Sequence, residues 1–350
     1  MHGDERGVVK TNTLSRFIRT TWLLSATKQL ELPANNVWVR RISQSESDAL
    51  VEQTRKRNVF ARHSWENSFY LKRVAQLKDS TVLEVFRAGS LDQVLPVARS
   101  LAELVEKVAV ISSALGLRRQ RTHQLVAISR HRRYGFDLAI SPGFKYLHSS
   151  QRQEQLPRGI PVDDTFVHRF NRCGFPALVA AGLSGGDISK RLEQGVSWLF
   201  ESRLETSSHA AVVKTAIALE SLLIASDTES LRGPLSERAA FVLSDDPARR
   251  HRISRSVKAF YDLRSGIVHG GRRRGTLQPG TLLEGIDRLV ILLLLTISGN
   301  ASTWASFDRI VEDVETRKWG AGQAPIHRPF PASHLSRAIQ LCEAKVGGAA

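Results

Sequence analysis

The stretch from Tyr261 to Gly271 contains the side chains that are best placed to do chemistry. It reads Tyr-Asp-Leu-Arg-Ser-Gly-Ile-Val-His-Gly-Gly and puts His269 five residues after Arg264. At 100° per residue, Arg264 falls near the centre of an apolar sector on the predicted helix. That sector is formed by Val257, Phe260, Ile267 and Val268. A core-facing guanidinium must be paired or face a polar cavity, because burying it alone costs several kcal/mol. The pattern therefore predicts that Arg264 is either part of a structural ion pair or a functional residue.

The Arg-x4-His spacing by itself is weak evidence, because an arginine-rich chain repeats it by chance. Arg118 and His123 have the same spacing but lie in a polar stretch. With one more intervening residue, three further pairs match: Arg57–His63, Arg203–His209 and Arg328–His334. The pair at Arg264 lies inside a periodic apolar pattern between other helical segments, so its context ranks it first.

His269 carries a side chain suited to proton transfer, since imidazole titrates near neutral pH. It also precedes Gly270, where a helix would end, and a histidine there can act simply as a C-terminal cap favoured by the helix dipole. On an ideal helix His269 points about 140° away from Arg264. The two side chains converge only if the helix loosens near Gly266, or if the second copy of a dimer supplies one of them.

Glu220 is the acid expected to meet Arg264. It projects within the apolar sector of a helix predicted from Ser208 to Ile224. Other members of that sector are Val212, Val213, Ala216, Leu219 and Leu223. One acid and one arginine thus occupy core-facing positions on separate helices, which predicts an ion pair with a two-point contact. The pair could be purely structural and fix the helix register, or Glu220 could orient an Arg264 that contacts phosphate.

Three segments in order resemble an Apea-like HEPN domain: Ala218–Leu223, Glu237–Ala240 and Tyr261–Gly270. The resemblance covers roughly residues 187–316. Many HEPN proteins are metal-independent endoribonucleases of defence or toxin systems, built as helical bundles that dimerise to bring two such motifs together. The family often has Asn, Asp or His directly after the arginine, whereas this chain has Ser265, which keeps a polar group there.

The resemblance implies a reaction in which the RNA 2′-hydroxyl attacks its neighbouring phosphate, with no metal and no cofactor. His269 would act as general acid or base, and Arg264 would stabilise charge on the phosphorane oxygens. Glu220 and Ser265 would support them. Tyr261 could stack a base or simply pack between helices. DNA lacks the 2′-hydroxyl and should resist this route.

Clustered arginines on both sides of the motif could hold flanking phosphates. The candidates are Arg272, Arg273 and Arg274 after the motif, with Arg252 and Arg255 upstream beside Arg249 and Arg250. The formal net charge of +16 favours polyanions, chiefly nucleic acid, with an anionic membrane surface second. The alternative for each arginine is a solvated surface charge.

Other classes of site are disfavoured by the sequence. Cys173 and Cys342 are far apart, which indicates a reducing compartment and no disulfide framework. The histidines show no zinc-ligand spacing, and no phosphate-cradling Gly-x4-Gly-Lys occurs. Gly182–Gly186 fits the Gly-x-Ser-x-Gly of a hydrolase elbow, but alternating strand–helix units are missing, so its glycines more simply lead into a helix. Without a signal peptide or a ~20-residue apolar run, the sequence predicts a cytoplasmic protein that does not engage a membrane.

The elements that position these residues suggest two domains. Residues 1–150 read as an α+β domain of sensing or regulatory purpose, with strands at 36–42, 80–86, 123–129 and 134–140 and helices at 45–57 and 95–115. Residues 151–186 read as a linker that leads into the bundle, and residues 187–318 as an all-α HEPN-like bundle. Its later helices are expected from Pro234 to Leu243, Pro247 to Val268, Thr281 to Ile297 and Ser302 to Lys318. The tail, residues 319–350, is expected to be loose.

The sequence therefore predicts a metal-independent endoribonuclease of a defence or toxin system, acting on RNA as a homodimer, with an antitoxin or regulatory partner as a further possibility. A non-catalytic RNA- or nucleotide-binding module is the second interpretation. A structural interaction protein, in which Glu220 and Arg264 are only a buried pair, is the third. Salt-sensitive RNA binding separates the third from the first two, and cleavage separates the first from the second.

Overall fold

The chain divides into two compact units, residues 1–106 with 125–167, and residues 107–124 with 168–350. A computed structural model describes residues 14–21, 24–56, 71, 74–75, 77, 79–117, 132–140, 147–155, 159–225, 231–269, 280–320 and 325–344. The expected α+β region followed by helices is found. The linker predicted over 151–186 is wrong where it is described, because that segment contains the end of one strand, a further strand and two helices.

The first unit is built on antiparallel strands. Its strands are β1 Ser15–Thr20, β2 Leu24–Ala26, β3 Leu30–Leu32, β4 Val37–Arg41, β5 Thr81–Arg87, β6 Arg132–Ile140, β7 Leu147–Gln155 and β8 Ile160–Val162. Six of them form one sheet in the order β3-β4-β5-β1-β6-β7, while β2 and β8 pair in parallel. Ile18 of β1 lies opposite Glu84 of β5 and Leu138 of β6. The strands predicted at 36–42, 80–86 and 134–140 are therefore confirmed, and the one at 123–129 lies outside the described residues.

Helix α1 (Gln44–Lys56) packs an apolar cluster against this sheet. The cluster comprises Ile18, Ile42, Leu50, Val74, Leu77, Val82, Leu138 and Ile140. The sheet also buries charge, which the sequence did not reveal. Glu84 is contacted by both Arg16 and Arg40, and Asp137 accepts a hydrogen bond from Arg19 at 3.0 Å. Each of these buried carboxylates thus has a guanidinium partner, which offsets the cost of taking it out of water.

The second unit is helical. Two helices straddle the bounds of the units: α2 Leu91–Ser112 lies mostly in the first unit, and α3 Asp164–Arg172 begins there. The helices wholly within the second unit are α4 Phe175–Gly182, α5 Gly186–Leu204, α6 Ser208–Leu223, α7 Arg232–Leu243, α8 Pro247–Val268, α9 Gly280–Gly299, α10 Phe307–Lys318 and α11 Ala332–Glu343. The bounds of α8 match the prediction, since Asp246 caps its N-terminus by accepting from the amides of Ala248 and Arg249. Gly185 and Gly186 have positive φ and lead into α5, as expected for the glycines of that segment.

Helix α9 is the centre of this unit. Every residue from Leu289 to Ser298 is buried, as physical chemistry dictates for a helical segment that is apolar on nearly all sides. A polar network lies in the same core. Arg203 of α5 and Asp287 of α9 are both 0% exposed and pair at 3.3 Å, and Asp287 also accepts from Thr215 of α6 at 3.0 Å. Three helices are thereby tied together by one carboxylate.

Two predicted features of the C-terminal region are wrong. The helix expected from Ser302 begins at Phe307. The tail expected to be loose contains α11, which packs on α9. Their close approach depends on Gly285, since a Cβ there would lie 2.7 Å from the backbone nitrogen of Cys342. Among the described residues, no helix combines the length and hydropathy needed to cross a membrane.

Candidate functional site

The motif helix α8 continues without a break to Val268. His269 follows as its C-cap, with φ −93° and ψ 10°, and its amide donates to the carbonyl of Ser265 at 3.0 Å. The helix therefore does not loosen near Gly266. Within one chain, Arg264 and His269 remain on faces about 140° apart. Of the two ways in which they could converge, only supply by a second chain is compatible with this geometry.

Arg264 and Glu220 lie together as predicted, but the two-point contact is wrong. Nη2 of Arg264 lies 3.8 Å from Oε1 of Glu220, too far for a hydrogen bond. The side chains are 21% and 20% exposed. Nε of Arg264 and Oε1 of Glu220 are buried atoms, and neither finds a hydrogen-bond partner in the part of the chain that the structure describes. Each such orphaned group costs about 1–3 kcal/mol, so this pair is held together without being satisfied.

Tyr261 completes the group on the neighbouring turn. Cζ of Arg264 lies 5.5 Å from the centroid of the Tyr261 ring, within range of a cation–π interaction. Burial raises the pKa of Glu220 above its ordinary value, although Arg264 and a hydrogen bond from Tyr261 oppose the shift. Burial also raises the pKa of Tyr261, and the nearby carboxylate of Glu220 adds to that shift. The three residues form a partly dry polar group whose charges are incompletely compensated.

The last turns of α8 are less buried than the apolar sector predicts. Val257 and Phe260 lie in the core as expected. Ile267 is only half-buried, Val268 is 47% exposed, and His269 is exposed. Arg264 therefore lies where the buried part of α8 gives way to a partly exposed end that bears apolar side chains. An incoming ligand or a second chain can reach this end, whereas the apolar face of the helix is buried at Ile253, Val257 and Phe260.

The predicted RNA-binding arginines differ in availability. Arg252 donates twice to Glu343 of α11, from Nε at 2.8 Å and from Nη2 at 2.5 Å, and Arg255 donates to the same carboxylate at 3.2 Å. Hydrogen bonding in this pair raises the pKa of Arg252 and lowers that of Glu343. The fork of Arg252 is therefore occupied by a side chain of the tail helix. Arg272, Arg273 and Arg274 lie outside the described residues.

Two polar residues on α8 were not singled out from the sequence. His251 and Lys258 line a surface pocket on the side of the helix away from Arg264. His251 and Lys258 lie 18 and 11 residues before His269, which places all three on one helical face. This spacing is the sequence signal that could have identified them. Polar residues on an outward face are ordinarily solvated, so nothing else distinguished them.

No group of three His, Cys, Asp or Glu side chains that could hold a metal ion occurs among the described residues. No family model, curated protein or solved structure matches this chain. The resemblance to the HEPN family therefore rests on the quoted residues alone.

Proposed function

We propose that this protein is a metal-independent endoribonuclease of the HEPN type that acts as a homodimer in a defence or toxin system. Arg264 supports the proposal most directly. Its guanidinium lies beside a carboxylate and a tyrosine at the partly exposed end of α8, and its 3.8 Å contact with that carboxylate is longer than a hydrogen bond. A phosphate oxygen is an acceptor of the right charge to complete that geometry.

Two other arginines of this chain form closer, two-point contacts with their carboxylates. Arg328 binds Asp245 through both terminal nitrogens, at 2.6 and 3.2 Å, and Arg252 binds Glu343 through two nitrogens. A pair that merely fixed the register of α6 and α8 would gain most from the same arrangement. The looser contact of Arg264 with Glu220 favours a role in which the arginine is positioned for another anion.

The directions of the two side chains support the homodimer. A continuous α8 holds Arg264 and His269 about 140° apart, so one chain cannot direct both at the same phosphate. The partly exposed Ile267 and Val268 occupy the same end of the helix. A two-fold axis near this end would cover these apolar side chains and bring Arg264 of one chain toward His269 of the other.

In the proposed reaction the 2′-hydroxyl of the RNA loses a proton to His269 and attacks the adjacent phosphorus. The bond to the 5′-oxygen breaks, that oxygen takes up a proton from water, and a cyclic phosphate is left on the upstream strand, after which His269 returns its proton to the solvent. Arg264 stabilises the extra negative charge on the phosphorane oxygens. Glu220 and Tyr261 hold the guanidinium, and Ser265 offers a hydroxyl one residue away.

The test is cleavage of a mixed RNA pool in EDTA by the wild-type protein and by His269→Ala and Arg264→Ala. His209→Ala, which removes an exposed histidine of α6, is the matched control. Loss of a general acid or base should slow cleavage by about 10²- to 10⁴-fold in His269→Ala, with His209→Ala unchanged. Circular dichroism and sedimentation would confirm that fold and association are retained. Equal cleavage by wild type and His269→Ala would refute the assignment of His269.

A non-catalytic RNA- or nucleotide-binding module is the second candidate. The separation of His269 from Arg264 within one chain favours it, because Arg264 with Glu220 and Tyr261 could hold a phosphate without a proton-transfer group. This candidate predicts RNA binding that weakens with salt and no cleavage by any variant. If the protein is instead a structural interaction protein, neither RNA binding nor RNA cleavage is expected.

A further inference from the structure

A pocket of about 350 Å³ lies on the surface of the helical unit, between α8 and the start of α7. The charged and titratable side chains that line it are Arg232, His251, Arg255, Lys258 and Asp262. Three cationic groups therefore face one carboxylate, and the imidazole of His251 can add a further donor. Its volume is in the range of small-ligand sites and exceeds what a single phosphate group needs.

The one carboxylate that lines the pocket does not neutralise its three cationic side chains. Arg232 donates to Asp262 at 2.7 Å, and both side chains are about half exposed. Arg255 contacts Glu343 at 3.2 Å, where Arg252 already forms two hydrogen bonds. Lys258 has no ion-pair partner among the described residues, although it is half-buried. A half-buried ammonium beside two arginines is a favourable place for an anion, because the anion relieves their mutual repulsion.

The pocket lies on the face of α8 that leads to His269. Successive separations from His251 to Lys258, Asp262 and His269 are seven, four and seven residues, so all four side chains fall within about 40° of one another. At 1.5 Å per residue, Lys258 is about 17 Å along the helix from His269. Arg264 points the other way. A strand that passes over His269 along this face would therefore reach the pocket.

We propose that this pocket is a phosphate-binding subsite that receives a backbone phosphate of the RNA strand beyond the point of cleavage. Lys258 supplies a point charge, Arg232 and Arg255 supply planar donors, and His251 donates from its ring. The remaining volume takes part of the attached sugar. The assignment to RNA rests on the proposed function, whereas the affinity for a phosphate group depends only on the pocket.

Two measurements on the full chain test the subsite. In the first, binding of single-stranded RNA to the His269→Ala protein is followed across a salt series, with Lys258→Gln or His251→Gln added. Lys190→Gln, which removes an exposed lysine of α5, is the matched control. Loss of one phosphate contact to a single strand should reduce the slope of log K against log salt by about 0.7 in Lys258→Gln. The slope should not change in Lys190→Gln.

In the second measurement, the ring resonances of His251 are recorded during titration with inorganic phosphate or pyrophosphate. A saturable shift in the wild-type protein that is lost in Lys258→Gln is expected, and pyrophosphate should compete with RNA. If RNA binding fails while phosphate still shifts His251, the pocket serves a phosphorylated small ligand and the RNA assignment is wrong. If RNA is cleaved but phosphate produces no shift and Lys258→Gln behaves like Lys190→Gln, the subsite is refuted and the ribonuclease proposal survives.

Discussion

Removal of the carboxylate of Asp287 should be among the most damaging single changes in the helical unit. Asp287 and Arg203 are both fully buried, and Asp287 also accepts a hydrogen bond from Thr215. Truncation to alanine takes away the anion facing a desolvated guanidinium, a change that typically costs about 3–5 kcal/mol. For a cooperative unit of this size, that loss corresponds to a fall in melting temperature of about 6–20 °C.

The assay is urea and thermal unfolding followed by helical circular dichroism, with the transitions of the two units fitted separately. Asp308→Ala, which removes an exposed acid of α10, is the control and should change stability by no more than about 0.5 kcal/mol. The double variant Asp287→Leu with Arg203→Met should recover most of the loss, because apolar side chains of similar size often replace a buried ion pair without penalty. If Asp287→Ala costs under about 1 kcal/mol, the pair does not hold α5, α6 and α9 together and this reasoning fails.

Gly285→Ala should destabilise the protein by about 1–3 kcal/mol in urea unfolding, because the added Cβ would meet the backbone of Cys342 and force α9 from α11. Gly266→Ala meets nothing within 4 Å, so it should instead be neutral or stabilising, and equal effects of the two changes would contradict the packing argument. Hydrogen bonding by Arg328 lowers the pKa of Asp245 in the folded state below its ordinary value of 3.8. The ionised carboxylate should therefore stabilise the fold at pH values above 3.8. That contribution is lost as pH falls through the lowered pKa, so melting temperatures of wild type and Asp245→Asn should converge in acid, and a constant difference from pH 7 to pH 2 would be the contrary result.

Local signals account for the parts of the fold that were predicted. The bounds of α8 follow from an aspartate cap, a proline in the first turn and regular apolar spacing, all within one segment. The burial of α9 follows from its uninterrupted leucine-rich sequence. By contrast, β7 reads Leu-His-Ser-Ser-Gln-Arg-Gln-Glu-Gln and has no apolar alternation. It is a strand because β6 offers it a ladder of backbone partners, which no local pattern reports.

The candidate site, too, was predictable where local sequence signals suffice and not where it depends on how helices pack. The meeting of Glu220 and Arg264 was predictable, because each interrupts the apolar sector of its own helix. The 3.8 Å separation of their atoms was not, since it depends on how far α6 and α8 are displaced along each other. Likewise, the pairing of Arg252 with Glu343 could not be foreseen, because it brings together residues 91 positions apart through a tail helix that was not expected.

The continuous course of α8 determines how the proposed activity would depend on protein concentration. One chain carries Arg264 and His269 on different faces, so under the proposed function it would hold two half-sites and no complete one. The rate of cutting would rise with the square of the concentration while dimers are scarce, and linearly once they predominate. Under the proposed function, the balance between synthesis of the protein and its dilution by growth would then decide whether its concentration is high enough for dimers to form. No modification or small ligand would be required.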